Sequence, residues 1–455
     1  MSARLAVASL AARAAARLSR LAGTGGGTTL PGKLLWKLDP AAIDALAARL
    51  PHGVALVSAT NGKTTTTAMA AEILGDGHRL AWNSSGANLV SGIASTLLAS
   101  PDAELGLLEV DEGALPEVVQ RVRPRALLLG NLFRDQLDRY GELEHVVERW
   151  RKTVRRLDAE TTLVLNGDDP QVGDLARERS DAVTYGLDDP AQARPALQHA
   201  ADSRYCVRCA RPYEFAAAYV GHLGDYRCPA CGHARPELQV VGRSIELRGL
   251  ESASFELVTH AGQTRVRLPL PGLYNVYNAV GAAALAQVLG ASLEEIRAGL
   301  ERFGAAFGRF ERIAAGDKTL LVLLIKNPAG ANEVIRTLQD GGVPPLLLVA
   351  LNDAIADGKD VSWIWDVDLE PLLARTERLI ASGERAAELG VRCVYGGLPE
   401  ASLEVEPDLE RALDRGLQLT PERGELVILP TYTAMLALRH LFTERGLVKP
   451  YWERS

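Results

Sequence analysis

No apolar run in this sequence reaches the length that spans a bilayer, and no signal peptide is legible. Basic charge is not in excess: 50 Lys and Arg stand against 57 Asp and Glu, a net charge of −7. That balance argues against a protein that holds nucleic acid through a broad basic surface. Cysteine is sparse, five in 455 residues, and four of the five fall in two Cys-x-x-Cys pairs. Such pairs in a chain without a signal peptide point to a metal site in a reducing compartment, not to disulfides. The full Walker phosphate-loop pattern lacks its first glycine, because Val57 stands five positions before Gly62.

The length suffices for about three domains, and 47% apolar with 24% charged residues is ordinary for a globular chain. Met1–Arg20 is Ala-rich, and the spacing of Arg4, Arg13, Arg17 and Arg20 suits an amphipathic helix better than a transit peptide. Gly23 to Thr29 reads as a linker, and Pro40–Leu50 as a helix.

The central signal is Thr60-Asn61-Gly62-Lys63-Thr64-Thr65, between the apolar run Val54–Ser58 and a helical segment Thr66–Leu74. Strand, tight loop and helix start make a cradle of backbone N–H groups for an anion. In such a cradle Lys63 reaches terminal phosphates and the Thr64 hydroxyl holds Mg²⁺. Apolar runs at Leu105–Val110, Ala126–Leu129 and Leu163–Leu165 alternate with helical segments, which implies βαβ units and a largely parallel sheet. Ligands bind at the carboxyl ends of such strands. Glu109, Asp111 and Glu112 end one run, and Glu109 is placed to hold Mg²⁺. Asn131 and Asp135-Gln136-Leu137-Asp138 follow the next.

Cys206-Val207-Arg208-Cys209 and Cys228-Pro229-Ala230-Cys231, eighteen residues apart, fit a closed four-thiolate zinc site with a structural role. From about Ile313 the pattern is α/β again, with strand-like runs at Leu320–Ile325, Pro345–Leu351, Arg378–Ala381, Cys393–Tyr395 and Leu426–Leu429. One loop there, Asn352 to Asp366, holds Asp353, Asp357, Asp360 and Asp366 beside Trp363-Ile364-Trp365. Its plain reading is a loop whose tryptophans cover the core; its sharper reading is an interface or catalytic loop.

Taken together, these motifs resemble the Mur ligases and folylpolyglutamate synthetases from about Pro31 onward. Ala59 to Thr65 is similar to their phosphate loop and Leu108-Glu109-Val110-Asp111 to their Mg²⁺-carboxylate strand. Tyr274-Asn275-Val276-Tyr277-Asn278-Ala279 resembles their adenine-side helix start, and Gly308-Arg309-Phe310-Glu311 their hinge. The resemblance implies that Thr60, Asn61, Gly62, Lys63, Thr64, Thr65, Glu109, Asn275, Asn278 and Arg309 serve ATP and Mg²⁺. It implies an α/β fold with an N-terminal helix and linker (1–44), a Mur ligase-like P-loop domain (45–312) carrying a zinc-ribbon insert (202–236), and a Rossmann-like α/β domain (313–455).

Within that superfamily the four-cysteine insert, the Asp357-to-Asp366 run and Ile428-Leu429-Pro430-Thr431-Tyr432-Thr433-Ala434 resemble the MurT branch, the synthetase subunits of lipid II isoglutaminyl synthases. The branch implies ATP-dependent amidation of the D-glutamate α-carboxyl in the lipid II stem, through an acyl phosphate. It implies a partner, a GatD-like glutaminase, and a cytoplasmic setting at the inner face of the membrane. It further implies that an aspartate of this chain completes the partner's Cys–His pair, Asp357 being the first choice, Asp360 the second, with Asp353 also open. Cys393, on a predicted strand with no histidine near it, gives this chain no glutaminase pair of its own. Gln136 replaces the ligases' metal-binding histidine, and Lys326-Asn327-Pro328 replaces their longer amino-acid motif. Two alternatives stay open: a ligase that adds an amino acid, and a zinc-ribbon ATPase acting on nucleic acid.

Overall fold

The computed structural model describes residues 3–21, 29–135, 143–198, 201–304, 309–342 and 344–448. Gly23 to Thr28, Gln136 to Gly141 and Gly308 lie outside the described residues, as does the side chain of Arg309. The chain opens with two helices, α1 (Ala3–Leu21) and α2 (Leu30–Leu38). The helix expected over Pro40–Leu50 is shorter, Ala42–Ala47.

Among the described residues one sheet has nine strands. Its first six strands, all parallel, are β1 (Val54–Ser58), β2 (Leu80–Trp82), β3 (Leu105–Glu109), β4 (Ala126–Leu129), β5 (Thr162–Asn166) and β6 (Val183–Leu187). The β1, β3 and β4 side chains are all buried, as strands covered on both faces require. Helix α3 (Lys63–Leu74) follows β1, and α4 (Val90–Ala99) follows β2. A hairpin of β7 (Glu214–Val220) and β8 (Leu223–Arg227) carries the cysteine insert. After the insert come β9 (Val240–Arg248), β10 (Ser252–Thr259) and β11 (Gly262–Leu268). They extend the same sheet: β9 joins β6 in parallel, and β10 and β11 add on antiparallel, giving the order 11-10-9-6-5-4-1-3-2. Helix α5 (Leu273–Val288), nearly all buried, packs against α3 and this sheet.

A second sheet of six strands, again among the described residues, starts at β12 (Arg309–Ala315), antiparallel to β13 (Lys318–Leu323). It continues through β14 (Leu346–Ala350), β15 (Arg378–Ser382), β16 (Leu403–Val405) and β17 (Glu425–Pro430), in the order 12-13-17-14-15-16. Strand β12 crosses position 312/313, so this sheet begins inside the stretch expected to close the preceding domain. Its helices include α6 (Pro328–Gly341), α7 (Ala386–Tyr395) and α8 (Tyr432–Glu444). The strand expected at Cys393–Tyr395 is instead the last turn of α7. Valine and tyrosine there mimic strand propensity, but Leu389 and Cys393 face the core at helical spacing, and packing prevails.

Candidate functional site

The phosphate loop lies where β1 ends and α3 begins. Gly62 has φ 85°, which glycine adopts without strain. A Cβ there would fall 2.0 Å from Asn278 Oδ1, so backbone conformation and space both require glycine. Asn131, at the end of β4, braces the loop: its Oδ1 accepts from Asn61 N at 2.9 Å and its Nδ2 donates to Asn61 O at 3.0 Å. Thr60 N donates to Asn131 O at 2.8 Å.

Lys63 is the first residue of α3 and is buried. Its Nζ donates to Glu112 Oε2 at 2.9 Å and to Ala59 O at 3.0 Å. Burial pushes the ammonium down, but the Glu112, Glu109 and Asp111 carboxylates outweigh it and hold the group above its ordinary value. Glu109 ends β3. Its backbone is paired with the Asn83 side chain, and its Oε1 accepts from Asn88 Nδ2 at 3.1 Å. Thr64 is half-buried on the first turn of α3, and Thr65 lines the adjoining cleft. Lysine, threonine and carboxylates at two strand ends and a helix start form the donor set that magnesium-bound phosphates use.

The cleft runs from Asn61, Gly62 and Thr65 to Asn275 and Asn278 at the start of α5, with Glu333 on its far wall. Asn275 Nδ2 donates to Pro271 O at 2.8 Å, and Asn278 Nδ2 to Asn275 Oδ1 at 3.3 Å. The second α/β unit closes the other wall. Asn61 and Asn327 exchange amide hydrogen bonds of 3.2 and 2.9 Å, and Lys326 pairs with Asp135 at 2.6 Å. Glu333 is buried against Arg194 at 2.5 Å, and burial pushes its carboxyl up despite that partner. Asn327 also caps α6, its Oδ1 accepting from Gly330 N at 2.9 Å. Asn131 and Glu112 stand out in the sequence as polar residues after apolar runs, but nothing local marks them for these roles. Nor does anything local mark the Asn61–Asn327 pairing, a contact 266 residues apart.

The loop Asn352–Asp366 divides its aspartates. Asp357 is buried; its Oδ1 accepts from Thr433 N at 2.9 Å and its Oδ2 from the Thr433 hydroxyl, at the start of α8. Burial raises its carboxyl above the ordinary range, against these hydrogen bonds. Asp360 is exposed, and hydrogen bonds from Ser362 hold its carboxyl below the ordinary range. Asp353 is tied to Arg385 at 3.1 Å and Lys359 at 3.6 Å. Ile364 is buried, whereas Trp365 is half exposed, edge-on to Tyr395 and beside Arg392.

The four thiols of Cys206, Cys209, Cys228 and Cys231 lie within 4.8 Å of one another, with Cys206–Cys231 and Cys209–Cys228 both at 3.5 Å. Zinc–sulfur bonds of about 2.3 Å in a tetrahedron put sulfurs roughly 3.8 Å apart, so the set is shaped to hold one metal ion. Asp174 anchors the insert, meeting Arg208 Nε at 2.8 Å and His233 Nε2 at 3.5 Å.

Two α/β units closing on a phosphate loop at their strand ends define a Mur ligase-type fold. Residues 57–225 match the Mur ligase middle domain and residues 324–435 the MurT ligase C-terminal domain. The chain is 34% identical to the MurT subunit of lipid II isoglutaminyl synthase (glutamine-hydrolyzing) of Streptococcus pneumoniae, over 95% of both chains. It is 31% identical to the Staphylococcus aureus MurT subunit, over 93% of this chain and 94% of that one. The chain belongs to the MurT family. Among solved structures, a pseudomurein peptide ligase type C from Methanothermus fervidus matches with a TM-score of 0.67 at 21% identity, over 89% of this chain and 80% of that one. A Mycobacterium tuberculosis folylpolyglutamate synthase, complexed with ADP and AMPPCP, matches with a TM-score of 0.59 at 15% identity, over 88% and 94%. No described helix is long and apolar enough to cross a membrane.

Proposed function

We propose that this chain is the ATP-using half of a glutamine-dependent amidating pair acting on the D-glutamate α-carboxyl of the lipid II stem peptide. The observation that carries the reading is the buried Lys63, held among Glu109, Asp111 and Glu112 in a loop whose Asn61 and Gly62 line a cleft between two α/β units, in a chain of the MurT family. A carboxylate is a poor electrophile. Transfer of the γ-phosphoryl group from ATP to one carboxylate oxygen makes an acyl phosphate and ADP. Ammonia then attacks the carbonyl carbon, the C–O bond to phosphate breaks, and a proton leaves the nitrogen. Lys63 neutralises charge on the moving phosphoryl group, and the N–H groups of the loop hold the phosphates in line. Thr64 and Glu109 are the residues that would hold Mg²⁺, which supplies further charge neutralisation. Asn275 and Asn278 line the cleft where the base would lie, and Arg309 stays with the proposed nucleotide set on resemblance alone. The four thiolates would hold zinc as a structural clamp on the insert.

Ammonia is the free-base minority at neutral pH, so a separate glutaminase supplies it. The cysteines here do not suit that task. Cys393 is buried, and burial pushes its thiol up to about 12, far from a working nucleophile. The other four are gathered in one cluster. A GatD-like partner would dock at the second α/β unit, where an aspartate of the Asn352–Asp366 loop orients its histidine. Of the candidates, Asp360 is the one exposed to a partner; Asp357 is turned into its own fold.

The test is reconstitution with the glutaminase subunit on lipid II, ATP and glutamine, following ADP, glutamate and product mass. The expected result is the small mass loss of amidation, abolished by Lys63→Ala. A mass gain of one residue would mean an amino-acid ligase, and glutamine cleavage by this chain alone would end the two-subunit reading.

A further inference from the structure

The first 38 residues carry six cations, Arg4, Arg13, Arg17, Arg20, Lys33 and Lys37, and no acid, in a chain whose net charge is −7. The next acids are already engaged. Asp39 Oδ1 accepts from Ala41 N at 3.2 Å, and Asp44 pairs with Arg121 at 3.4 Å.

In the fold this stretch is an outer layer of two helices. Helix α1 buries Leu5, Ala8 and Ala12 in the cluster that holds Leu35 of α2. Helix α2 rests on α4, where Gly32 N donates to Ser95 Oγ at 2.8 Å. The outward face of a surface helix is normally polar. That of α1 is not: Val7 is 67% and Leu10 73% exposed, and Ala14 is exposed with them. At 3.6 residues per turn these three fall within about 60° of one another, opposite the buried face. Exposed Arg13 and Arg4 flank the stripe on either side. Arg4 Nε also donates to Leu38 O at 2.9 Å, joining the stripe to the end of α2. Leu30 and Leu38, the first and last residues of α2, are exposed too, with exposed Lys33 and Lys37 between them. Four of the twelve large apolar side chains exposed among the described residues belong to this layer.

Aliphatic side chains fringed by cations match one kind of surface: acyl chains at their boundary with anionic headgroups. We propose that α1 and α2 dock the protein on a bilayer containing anionic lipid, with Val7 and Leu10 entering the acyl boundary and the cations meeting headgroup phosphates. The contact is peripheral, since no described helix can cross. The layer is linked to the phosphate site through α4. Helix α4, on which α2 rests, is preceded by Asn88, whose side chain holds Glu109. The docking itself requires no nucleotide and stands apart from the amidation reading.

The test is co-sedimentation of the full chain, without nucleotide, with vesicles of phosphatidylcholine alone or mixed with phosphatidylglycerol. The expected result is binding to the mixed vesicles only, weakened by salt because the headgroup attraction is screened. Leu10→Glu should abolish it at an unchanged melting temperature. Arg13→Gln should lower partitioning about fivefold, the factor set by one surface cation. Equal binding to both vesicles, binding to neither, or full binding by Leu10→Glu would overturn the proposal. So would a lipid-free dimer dispersed by Leu10→Glu, which would make the stripe a contact between copies.

Discussion

Two aspartates three positions apart should fail in opposite ways. Asp357 accepts the Thr433 backbone N–H at 2.9 Å and its hydroxyl, and so satisfies the first turn of α8, whose leading N–H groups have no helical partner. A hydrogen bond to a charged group contributes about 1.5–3 kcal/mol, and the carboxylate's own burial offsets part of that. Asp357→Ala is therefore expected to lose about 2 kcal/mol of stability in urea unfolding. Thr433→Ala removes the hydroxyl's bond to Asp357 and the one it accepts from Asn352 Nδ2 at 3.1 Å, and should lose about 1–2 kcal/mol. Because the two residues share that bond, the double variant should lose about 1 kcal/mol less than the sum of the singles. Asp360→Asn keeps an acceptor for Ser362 N and sits on the surface, so its stability should stay within about 0.5 kcal/mol of the parent. Its effect should appear in the reconstituted complex, where disorienting a catalytic histidine lowers glutamine hydrolysis on the order of 10³–10⁴-fold. Wild-type unfolding of Asp357→Ala would refute the bracing role. Wild-type glutaminase turnover by Asp360→Asn would refute its role at the interface. If Asp357→Asn, which keeps the shape, silenced the glutaminase while folding normally, the two assignments would change places.

Three further outcomes are expected. Asn327→Asp keeps the α6 cap but loses the donor to Asn61 Oδ1, so it should melt near wild type while nucleotide binding weakens; Asn327→Ala should lose both, with about 1 kcal/mol from the cap. Equal melting of the two variants would rule out the cap. Purified protein should contain one zinc per chain by elemental analysis, and stripping it with a chelator should lower the melting temperature; metal-free protein of unchanged melting would remove zinc from the account. For pH, the Asp357 carboxyl is raised by burial, so its stabilising share is complete below the ordinary carboxylate value and is lost as pH rises through the raised one. Wild type should therefore lose ground to Asp357→Asn across that interval, and parallel stability–pH curves would contradict it.

Much of this molecule can be read from its residues because its central strands are buried on both faces. Runs such as Leu105–Leu108 and Leu346–Ala350 are unbroken and apolar for that reason, and the phosphate loop and the cysteine pairs are local patterns. The misses follow from the same logic. Strand β12 lies at a sheet edge, has three charged residues among its first four and a register shift between Arg309 and Glu311, so its sequence carries no clear strand pattern. Cys393 sits in a short segment whose β-branched and aromatic neighbours outweigh its helical spacing. Asn61 and Asn327 each look like turn residues, and only the closure of two units against each other pairs them. The burial of Asp357, and with it the contrast to Asp360, depends on Thr433 from another element.

The ion pair between Lys63 and Glu112 has a consequence for how nucleotide arrives. The ammonium group does not wait bare: the Glu112 carboxylate already pairs with it at 2.9 Å, where an arriving phosphate would compete. Binding is then an exchange, in which the incoming phosphate displaces a carboxylate that must find new compensation in a site screened from water. Only the difference between two anions drives the event, so the lysine by itself should bring little affinity. A divalent ion entering with the nucleotide would answer the released carboxylate, so nucleotide should bind more tightly with the metal than without it.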